Sequence, residues 1–259
     1  YLSAFEFAEK GAKVTIIDSR NEASDHVKNR CKELKIEIYF SHSVISTFGQ
    51  KKINALEIQK TEDKGNKLVG AVKKIDTDLV LMSGGWNPAV QLFSQSRGKL
   101  KYDKTINSFI PDIAIQDQRI VGCNNGDFDL SYNLENSFQS GLEAAKELGK
   151  DINFENPNFD GKEHFPFVSA QVEPYMIGKK GVTKGSKHFV DFQNDVTAAD
   201  IFLAQREGYI SVEHTKRYTT TGMGTDQGKT SNVNALSLMS HIHKKPVDEI
   251  GHTTFRPPF

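Results

Sequence analysis

The stretch SVEHTKRYTTTGMGTDQGKTSNVNA, residues 211–235, concentrates cations, hydroxyl groups and glycines between two segments with helical spacing. The side chains in it that suit a phosphate are three cations and two of the threonines: Lys216, Arg217, Lys229, Thr219 and Thr220. Cations, hydroxyls and free backbone N–H groups at helix starts are the groups with which proteins bind phosphate. The stretch therefore predicts a phosphate-binding element. The alternative is a polar loop that joins two helices.

Length and composition are those of an ordinary globular protein. The chain has 259 residues, which favours two domains or one domain with an added module. Lys plus Arg and Asp plus Glu are both 33, so the charge gives no reason to expect binding to nucleic acid or to an anionic membrane. We find no signal peptide, no apolar run long enough to span a membrane, and only two cysteines, Cys31 and Cys123. A cytoplasmic location is predicted.

A helix, a glycine, a strand and an acidic residue follow one another at the start of the chain. Apolar residues with helical spacing over 1–9 are followed by Gly11, and the β-branched run 13–17 ends at Asp18. In a dinucleotide-binding βαβ unit, an acidic residue at this place accepts the ribose hydroxyls of adenosine. Asp18 and Arg20 are therefore predicted to contact a nucleotide. The alternative is a strand that happens to end in Asp.

The next elements are predicted without any chemistry of their own. A short helix is expected over 25–34 and a strand over 36–40. Two further strands, 52–59 and 67–74, flank the turn-like sequence EDKGN and predict an antiparallel hairpin. Hairpins of this kind commonly decorate the nucleotide-binding domains of flavoproteins.

Two later corners combine a predicted strand with glycine. The run 79–82 is expected to be a buried strand leading into Gly84, Gly85 and Trp86, where backbone can approach a ligand closely. A strand over 118–122 is expected to lead to a second corner, the pair Gly126 and Asp127, before a helix over about 134–148. This pair resembles the closing motif of two-dinucleotide-binding-domain flavoproteins. There the Asp reaches a ribityl or ribose hydroxyl.

The last third of the chain predicts a small module of a short strand and three capped helices. The strand is expected over 188–194. Three hydroxyl side chains are expected to cap the helices that follow them, and two glycines to end the first two: Thr197 with Asp200 in a capping box, Ser211, Ser231, Gly208 and Gly222. So small a module is expected to need a partner surface for stability.

The pattern VDFQNDVTAADI, followed by REGYISVEHTKRYTTTGMGTDQGKTSNVNA, resembles the alpha subunits of heterotetrameric sarcosine oxidases. The segments SGGWNPAVQLFSQSRGKLKYD and GHTTFRPPF resemble them as well, so the resemblance covers nearly the whole chain. The start at Tyr1 and the end at RPPF are interpreted as those of a piece of a longer protein. The resemblance implies a first glycine-rich turn before this piece and an aminomethyltransferase-like, folate-binding domain after it.

The fold class expected from this resemblance is α/β: a partial, Rossmann-like two-dinucleotide-binding-domain flavoprotein fold followed by a small helical module. It implies five parts: the end of an inserted second nucleotide-binding domain (1–75), the return to the first FAD/NAD-binding domain (76–150), a connector (151–187), the module (188–245) and a linker (246–259). Asp18 and Asp127 would then serve different nucleotide sites.

The module also resembles the small [2Fe–2S] domains of related amine dehydrogenases and cyanide synthases. The four cysteine positions of that pattern fall on Asp191, Gln193, Asp226 and Ser231. Such clusters require thiolate ligands. We therefore predict a module that keeps the shape of the cluster domain without the cluster.

The resemblance further implies a subunit that binds cofactors for the oxidative demethylation of sarcosine. It implies NAD on this chain, FMN shared with a beta subunit, FAD on that partner, tetrahydrofolate in the domain that follows, and gamma and delta subunits besides. Lys216, Arg217, Thr219, Thr220 and Lys229 become candidates for contacts to the FMN phosphate. The sequence contains no catalytic constellation, as expected where flavin carries the chemistry. Two alternatives are a subunit acting on another secondary amine and a non-catalytic assembly module with structural NAD.

Overall fold

The computed structural model describes residues 1–62, 65, 67–150, 154 and 187–259. Its first unit consists of α1 (Leu2–Glu9), β1 (Thr15–Asp18), α2 (Asp25–Glu33) and β2 (Glu37–Phe40). β1 and β2 pair in parallel, with Thr15 opposite Glu37. Ser24 begins α2, because its Oγ accepts a hydrogen bond from the Val27 N–H. The predicted order of helix, strand, helix and strand is confirmed.

A three-stranded antiparallel sheet follows, in the order β3 (His42–Gly49), β4 (Ile53–Glu62) and β5 (Lys67–Asp76). The predicted hairpin is confirmed as β4 and β5. β3, which the sequence analysis missed, pairs with the other edge of β4. β4 is consequently the central strand, and its residue Ile58 is fully buried.

Two predicted strands, 79–82 and 118–122, are absent: both segments lack regular strand structure in the described chain. Leu79, Leu81 and Met82 are exposed, which contradicts the prediction of a buried strand. A strand forms only where a neighbouring strand satisfies its backbone groups, and no described residue pairs with either segment. The chain instead forms a short helix, α3 (Gln91–Gln95), and an antiparallel hairpin between them, β6 (Lys99–Asp103) and β7 (Ser108–Ile113).

The second of these segments runs into a 3₁₀ turn, Gly122–Asn125, and then into α4 (Leu130–Glu147). The predicted helix is thus confirmed, but it begins four residues earlier than expected. Its N-terminal residue is set by Asp129, whose side chain accepts a hydrogen bond from the Tyr132 N–H at 2.8 Å.

The C-terminal module begins with a short antiparallel pair, β8 (Phe189–Asp191) and β9 (Val196–Thr197). Four helices follow them: α5 (Ala198–Arg206), α6 (Val212–Thr219), α7 (Asn232–His243) and α8 (Val247–Ile250). Their apolar faces enclose one core, formed by Val190, Val196, Ala198, Ile201, Ala235, Leu238 and Met239. The module therefore has a hydrophobic centre of its own.

The helix ends of the module follow the sequence prediction in part. Thr197 and Asp200 form the predicted capping box, and Ser211 accepts a hydrogen bond from the His214 N–H at 3.2 Å. Ser231 does precede α7, but its buried Oγ makes no hydrogen bond, so the predicted side-chain cap is wrong. The left-handed residue that ends α6 is Thr220, at φ 62°, two residues before the predicted Gly222.

The C-terminal residues 251–259 pack against the rest of the chain. The rings of His252 and Phe255 lie 5.0 and 5.6 Å from that of Phe109 on β7. Gln95 donates a hydrogen bond to the Phe255 carbonyl at 3.0 Å. The segment predicted as a linker is thus held on both the hairpin and the module. Most of the predicted connector, 151–187, lies outside the described residues.

Across the described ranges 1–62, 67–150 and 187–259, no helix combines the length and the apolar character that crossing a membrane requires. The longest helix, α4, covers 18 residues. It carries charged side chains along its length, including Glu143 and Glu147, both ion-paired with Arg119.

Candidate functional site

Lys216 is the cation at the centre of the candidate site. Its half-buried side chain lines a small cavity, about 20 Å³, between α6, α7 and the C-terminal tail. Apolar side chains such as Leu236 and Met239 form one part of the wall, and His252 and Thr253 of the tail form another. Among the residues that the structure describes, no hydrogen bond or ion pair reaches the Lys216 ammonium group.

The electrostatic surroundings of Lys216 disfavour its charge. Burial is the main cause that lowers its pKa below the ordinary lysine value. The carboxylate of Glu213 opposes this effect, whereas the cations Arg256 and Arg217 reinforce it. A bound anion would reverse this balance, because a negative charge within a few ångströms stabilises the ammonium form.

The other two predicted cations are more exposed. Arg217 forms an ion pair with Glu213, one turn earlier on α6, at 3.0 Å, and 64% of its side chain is accessible. Lys229 is exposed and lies in the loop before α7, where its backbone carbonyl accepts a hydrogen bond from Asn87 at 3.1 Å. Of the three cations, Lys216 alone lines the cavity.

The two predicted threonines serve the end of α6. The hydroxyl of Thr219, which is buried, donates to the Thr215 carbonyl at 2.7 Å. The hydroxyl of Thr220 donates to the Thr219 carbonyl at 2.6 Å. Both hydroxyl hydrogens are therefore used within the chain to satisfy carbonyl groups at the helix end.

A buried carboxylate, Asp191, fixes the loop that follows α6. Only 2% of the residue is accessible. It accepts hydrogen bonds from the backbone N–H of Gly222 at 2.7 Å, of Gln193 at 2.9 Å and of Asn194 at 3.2 Å. Three donors on one buried carboxylate satisfy its charge without a cation.

Two more polar side chains, Gln193 and Asp226, hold the same loop through hydrogen bonds to its backbone. Gln193 accepts from the Asp226 N–H at 3.2 Å, and Asp226 accepts from the N–H groups of Gly228 and Thr230 at 3.0 and 3.2 Å. Burial raises the pKa of Asp226, but the hydrogen bonds from Thr230 and Gly228 outweigh it and leave that pKa below its ordinary value. The carboxylate is therefore charged at neutral pH and restrains the loop.

Two glycines of this loop lie against a single amide side chain. Gly222 and Gly228 both have positive φ, at 70° and 77°, and a Cβ added to either would collide with the side chain of Asn232. The loop consequently packs on the start of α7 at a distance that only glycine allows.

Of the four residues at the aligned cysteine positions, Asp191, Gln193, Asp226 and Ser231, the first three are linked by hydrogen bonds in one loop network. The first three bind backbone N–H groups through oxygen, and Ser231 is fully buried with an unpaired Oγ. These oxygen side chains do not fit a [2Fe–2S] cluster, which thiolates bind. Within the described part of the chain, no group of three or more His, Cys, Asp or Glu side chains is arranged to hold a metal ion. The loss of a cluster stays a prediction.

The N-terminal candidate, Asp18, lies at the end of β1 and is 8% accessible. Its carboxylate accepts from Arg20, through Nη2 at 2.7 Å, Nε at 2.9 Å and the backbone N–H at 2.9 Å, and from the Tyr1 hydroxyl at 2.5 Å. Burial raises the pKa of Asp18, but the hydrogen bonds from Arg20 and Tyr1 more than offset it, so the pKa lies below the ordinary value. The nucleotide contact of Asp18 and Arg20 stays a prediction.

The first glycine corner, at Gly84, Gly85 and Trp86, is a surface feature. Gly85 has φ 98° and no atom within 4 Å of an added Cβ, and the neighbouring Trp86 is 76% accessible. Gly84 is equally open. After these residues, Asn87 accepts a hydrogen bond from the Ser108 hydroxyl at 2.8 Å, which fixes the corner to β7.

Gly126, by contrast, is crowded. It has φ 88°, and an added Cβ would lie 2.9 Å from Ile110 and 3.0 Å from Ile106. The neighbouring Asp127 accepts a hydrogen bond from Asn125 at 3.1 Å, and its carbonyl accepts one from Asn133 at 2.8 Å. The turn before α4 is thus closely packed, and a ribose or ribityl contact of Asp127 stays a prediction.

Sequence reasoning missed Arg256, which lies next to the cavity-lining Phe255 and acts electrostatically on Lys216. It also missed His252 and Thr253 as part of the cavity wall. The sequence signal was the segment GHTTFRPPF, which carries a cation between aromatic and proline residues. That signal was interpreted as a linker because it has neither helical nor strand periodicity.

Comparison with known proteins links the chain to one group of oxidoreductases. Residues 185–259 match the family described as the Sarcosine oxidase A3 domain. The chain is 30% identical over 260 residues to sarcosine oxidase subunit alpha of Corynebacterium sp. (strain P-1), and 31% identical over 268 residues to that of Rhizobium meliloti (strain 1021). These matches include 98% and 99% of this chain but 26% and 24% of the relatives, so the chain spans about a quarter of their length. The predicted resemblance is confirmed.

A solved structure supports the fold. L-proline dehydrogenase from P. horikoshii superposes with a TM-score of 0.60 at 16% identity, over 98% of this chain and 50% of that one. At so low an identity the likeness concerns the fold alone. It confirms the mixed α/β architecture that the sequence predicted.

Proposed function

We propose that this chain is the part of a sarcosine oxidase alpha subunit that binds NAD and helps to hold FMN at an interface with a beta subunit. The observation that carries the FMN assignment is Lys216, a half-buried cation without a described partner in the segment that matches the Sarcosine oxidase A3 domain. A buried, unpaired ammonium group is costly unless a ligand or partner supplies negative charge.

The proposed reaction is the oxidative demethylation of sarcosine. With oxygen as acceptor, the products are glycine, hydrogen peroxide and either formaldehyde or, with tetrahydrofolate present, methylene-tetrahydrofolate. Bound flavin supplies the redox chemistry, with FAD on the beta subunit and FMN between the subunits. We place folate in a further domain, gamma and delta subunits in the assembly, and the enzyme in the cytoplasm.

The residues of this chain would bind and orient the FMN phosphate and would not react. Lys216 supplies a charge in a low-dielectric setting, while Arg217 and Lys229 add charge at the exposed edge. Thr219 and Thr220 use their hydroxyl hydrogens within α6, so we now assign them the shaping of the helix end beside the phosphate. Asp191 and Asp226 hold the following loop in place.

The nucleotide site proposed for NAD rests on the first half of the chain. Asp18 lies at the end of a parallel strand, where dinucleotide-binding domains receive the adenosine ribose. Gly84 and Gly85 leave open space for a close ligand approach. Asp127, which follows a packed turn at the start of α4, is proposed to serve a different nucleotide site.

The test is the double variant Lys216→Ala, Arg217→Ala in the assembled enzyme. FMN and NAD released by denaturation are quantified separately. We expect the FMN occupancy to fall and the NAD content to stay at the wild-type value, because the two nucleotides are assigned to different regions. A matched control, Arg206→Ala with Lys245→Ala, removes two exposed charges from the same module. Full FMN retention in the Lys216 and Arg217 variant contradicts the assignment.

A second candidate substrate class is suggested by the fold neighbour, an L-proline dehydrogenase. Turnover of the assembled enzyme with sarcosine and with proline, measured side by side, separates the two: a higher kcat/KM for proline overturns the sarcosine proposal. A third candidate, a non-catalytic assembly module, predicts that neither amine is turned over. It also predicts bound NAD that is never reduced.

A further inference from the structure

The acceptor positions of the Asp18 carboxylate are filled by groups of its own chain. A carboxylate accepts about four hydrogen bonds, two on each oxygen. Oδ1 accepts from the backbone N–H of Arg20 and from its Nε, both at 2.9 Å. Oδ2 accepts from Arg20 Nη2 at 2.7 Å, from Nε at 3.2 Å and from the Tyr1 hydroxyl at 2.5 Å. A ribose hydroxyl can therefore bind Asp18 only where one of these donors leaves.

The donors differ in how firmly they are held. Arg20 contributes three N–H groups and a positive charge, and its own carbonyl accepts a hydrogen bond from the Ser41 N–H at 2.8 Å. Tyr1 contributes one neutral hydroxyl. Burial, first, and the hydrogen bond to Asp18 raise the pKa of Tyr1, so this hydroxyl keeps the proton that it donates. It is the donor that a ligand can replace at the lowest cost.

The Tyr1 ring also fills space at this corner. It belongs to the residue before α1 and reaches the end of β1, where Asp18 lies. The guanidinium carbon of Arg20 is 5.7 Å from the centre of the ring, and the centre of the Phe5 ring is 6.5 Å from it. In a dinucleotide-binding βαβ unit, the ribose and the pyrophosphate lie between the strand end and the helix start. Tyr1 therefore takes both an acceptor position and space that such a ligand needs.

We infer that Tyr1 competes with the ribose of a dinucleotide for Asp18, so that NAD binds at this corner only after the Tyr1 hydroxyl has left the carboxylate. The exchange replaces one O–H donor on Oδ2 with another, while Arg20 stays on Asp18. The inference rests on the proposed assignment of NAD to Asp18. It adds to that assignment a residue of the same chain that lowers the affinity for the nucleotide.

The experiment titrates the assembled enzyme, freed of nucleotide, with NAD in a calorimeter. Tyr1→Phe keeps the ring and removes the competing hydroxyl, so it should bind NAD about 3- to 10-fold more tightly than the wild type, the effect of one hydrogen bond. The matched control is Tyr39→Phe, which removes a hydroxyl that donates to Glu37 on β2 of the same unit. It should leave the affinity unchanged.

Two nucleosides test whether the competition concerns the ribose hydroxyls. Adenosine should gain from Tyr1→Phe by the same factor as NAD does. Its dideoxy form lacks both ribose hydroxyls and has no donor for Asp18, so it should gain nothing. An equal gain for the dideoxy form would mean that Tyr1→Phe merely opens space, and would overturn the inference.

An affinity of Tyr1→Phe for NAD that equals or falls below that of the wild type also overturns the inference. Asp18→Asn separates this result from a failure of the proposed function. If Asp18→Asn weakens NAD binding while Tyr1→Phe does not strengthen it, the NAD assignment stands and the inference fails. If Asp18→Asn leaves NAD binding unchanged, NAD does not use this corner, and the assignment and the inference fail together.

Discussion

The corner around Asp18 and the corner around Lys216 carry opposite charges and differ in how the chain satisfies them. Asp18 is surrounded by donors from its own chain, with hydrogen bonds from Arg20 and Tyr1 at 2.5 to 3.2 Å. Lys216 is half-buried beside another cation, and no described residue pairs with it. The charge of Asp18 is thus balanced by groups of the chain itself, whereas the charge of Lys216 is balanced only when an anion binds.

The comparison indicates where an anionic ligand belongs. The module does contain acidic side chains, but the buried one, Asp191, is committed to backbone N–H groups. Glu213 is shared with Arg217 in an ion pair. The acids of the module therefore stabilise its loop and leave positive charge at the cavity.

The largest expected effect is that of Asp191→Asn, which tests whether this carboxylate holds the loop. Replacing an oxygen with an NH₂ group leaves at least one buried backbone N–H without an acceptor, and removes a charge that three donors stabilise. We expect a loss of about 3 kcal/mol in the free energy of unfolding. Urea unfolding followed by circular dichroism measures it.

The matched control for this change is Asp195→Asn in the same hairpin. Asp195 is exposed and has φ 54°, a conformation that Asn accepts. Its substitution should change the stability by less than about 0.5 kcal/mol. Equal losses in the two variants would show that the charge, and not the hydrogen bonds, matters.

Asp18→Asn should lower the free energy of unfolding by about 2 kcal/mol, because it weakens a buried pair with Arg20. Asp25→Asn is the matched control: the Asp25 side chain is 92% accessible and pairs with Lys28 at 3.1 Å, so about 0.5 kcal/mol or less is expected. The midpoints of urea unfolding give both values. A loss for Asp25→Asn as large as that for Asp18→Asn would remove the contrast between buried and exposed pairs.

The penalty of Asp18→Asn should also depend on pH. The pKa of Asp18 is lowered in the folded protein, so its carboxylate contributes stability that is fully present above the ordinary aspartate value of about 4. As the pH falls through the folded-state pKa, that contribution is lost. The stability difference between wild type and Asp18→Asn should therefore shrink in acid. If the stability difference stayed constant from pH 6 down to pH 2, the charge of Asp18 would not be the cause of the penalty.

Lys216→Met is expected to have the smallest effect and the opposite sign. Without phosphate, removing a cation that burial disfavours should leave stability unchanged or raise it by about 0.5 kcal/mol at most, since solvent screens part of the cost. Because the folded-state pKa of Lys216 is lowered, wild-type stability should rise with pH between that pKa and the ordinary lysine value of about 10.4. Lys216→Met should lack this rise. A clear loss of stability in Lys216→Met would contradict this expectation, because it would mean that another group of the protein stabilises the ammonium group.

The features that the sequence predicted correctly depend on residues that lie close together along the chain. The capping box of Thr197 and Asp200 and the start of α6 at Ser211 involve residues three positions apart, so their signals are local. The β1–α2–β2 order was predicted for the same reason, because each element carries its own periodicity.

What the sequence did not predict depends on contacts between distant residues. The segments 79–82 and 118–122 have the composition of strands, but strand structure also needs a paired neighbour, which composition does not encode. The cavity wall that His252, Thr253 and Phe255 contribute results from the packing of the tail on α6 and α7 and has no local signature. The hydrogen-bond network around Asp191 was not predicted either, because the sequence showed Asp191 only as a position aligned with a cysteine.

The packing of Gly222 and Gly228 on Asn232 also has an evolutionary consequence. Both glycines lie in a loop, a kind of segment in which sequence changes are usually tolerated, but both are buried. Here even a single methyl group at either position would strike the same amide side chain. Natural variants of this protein should therefore keep both glycines for as long as they keep the asparagine. Loss of the asparagine would remove the collision but not the backbone strain, because both glycines have positive φ.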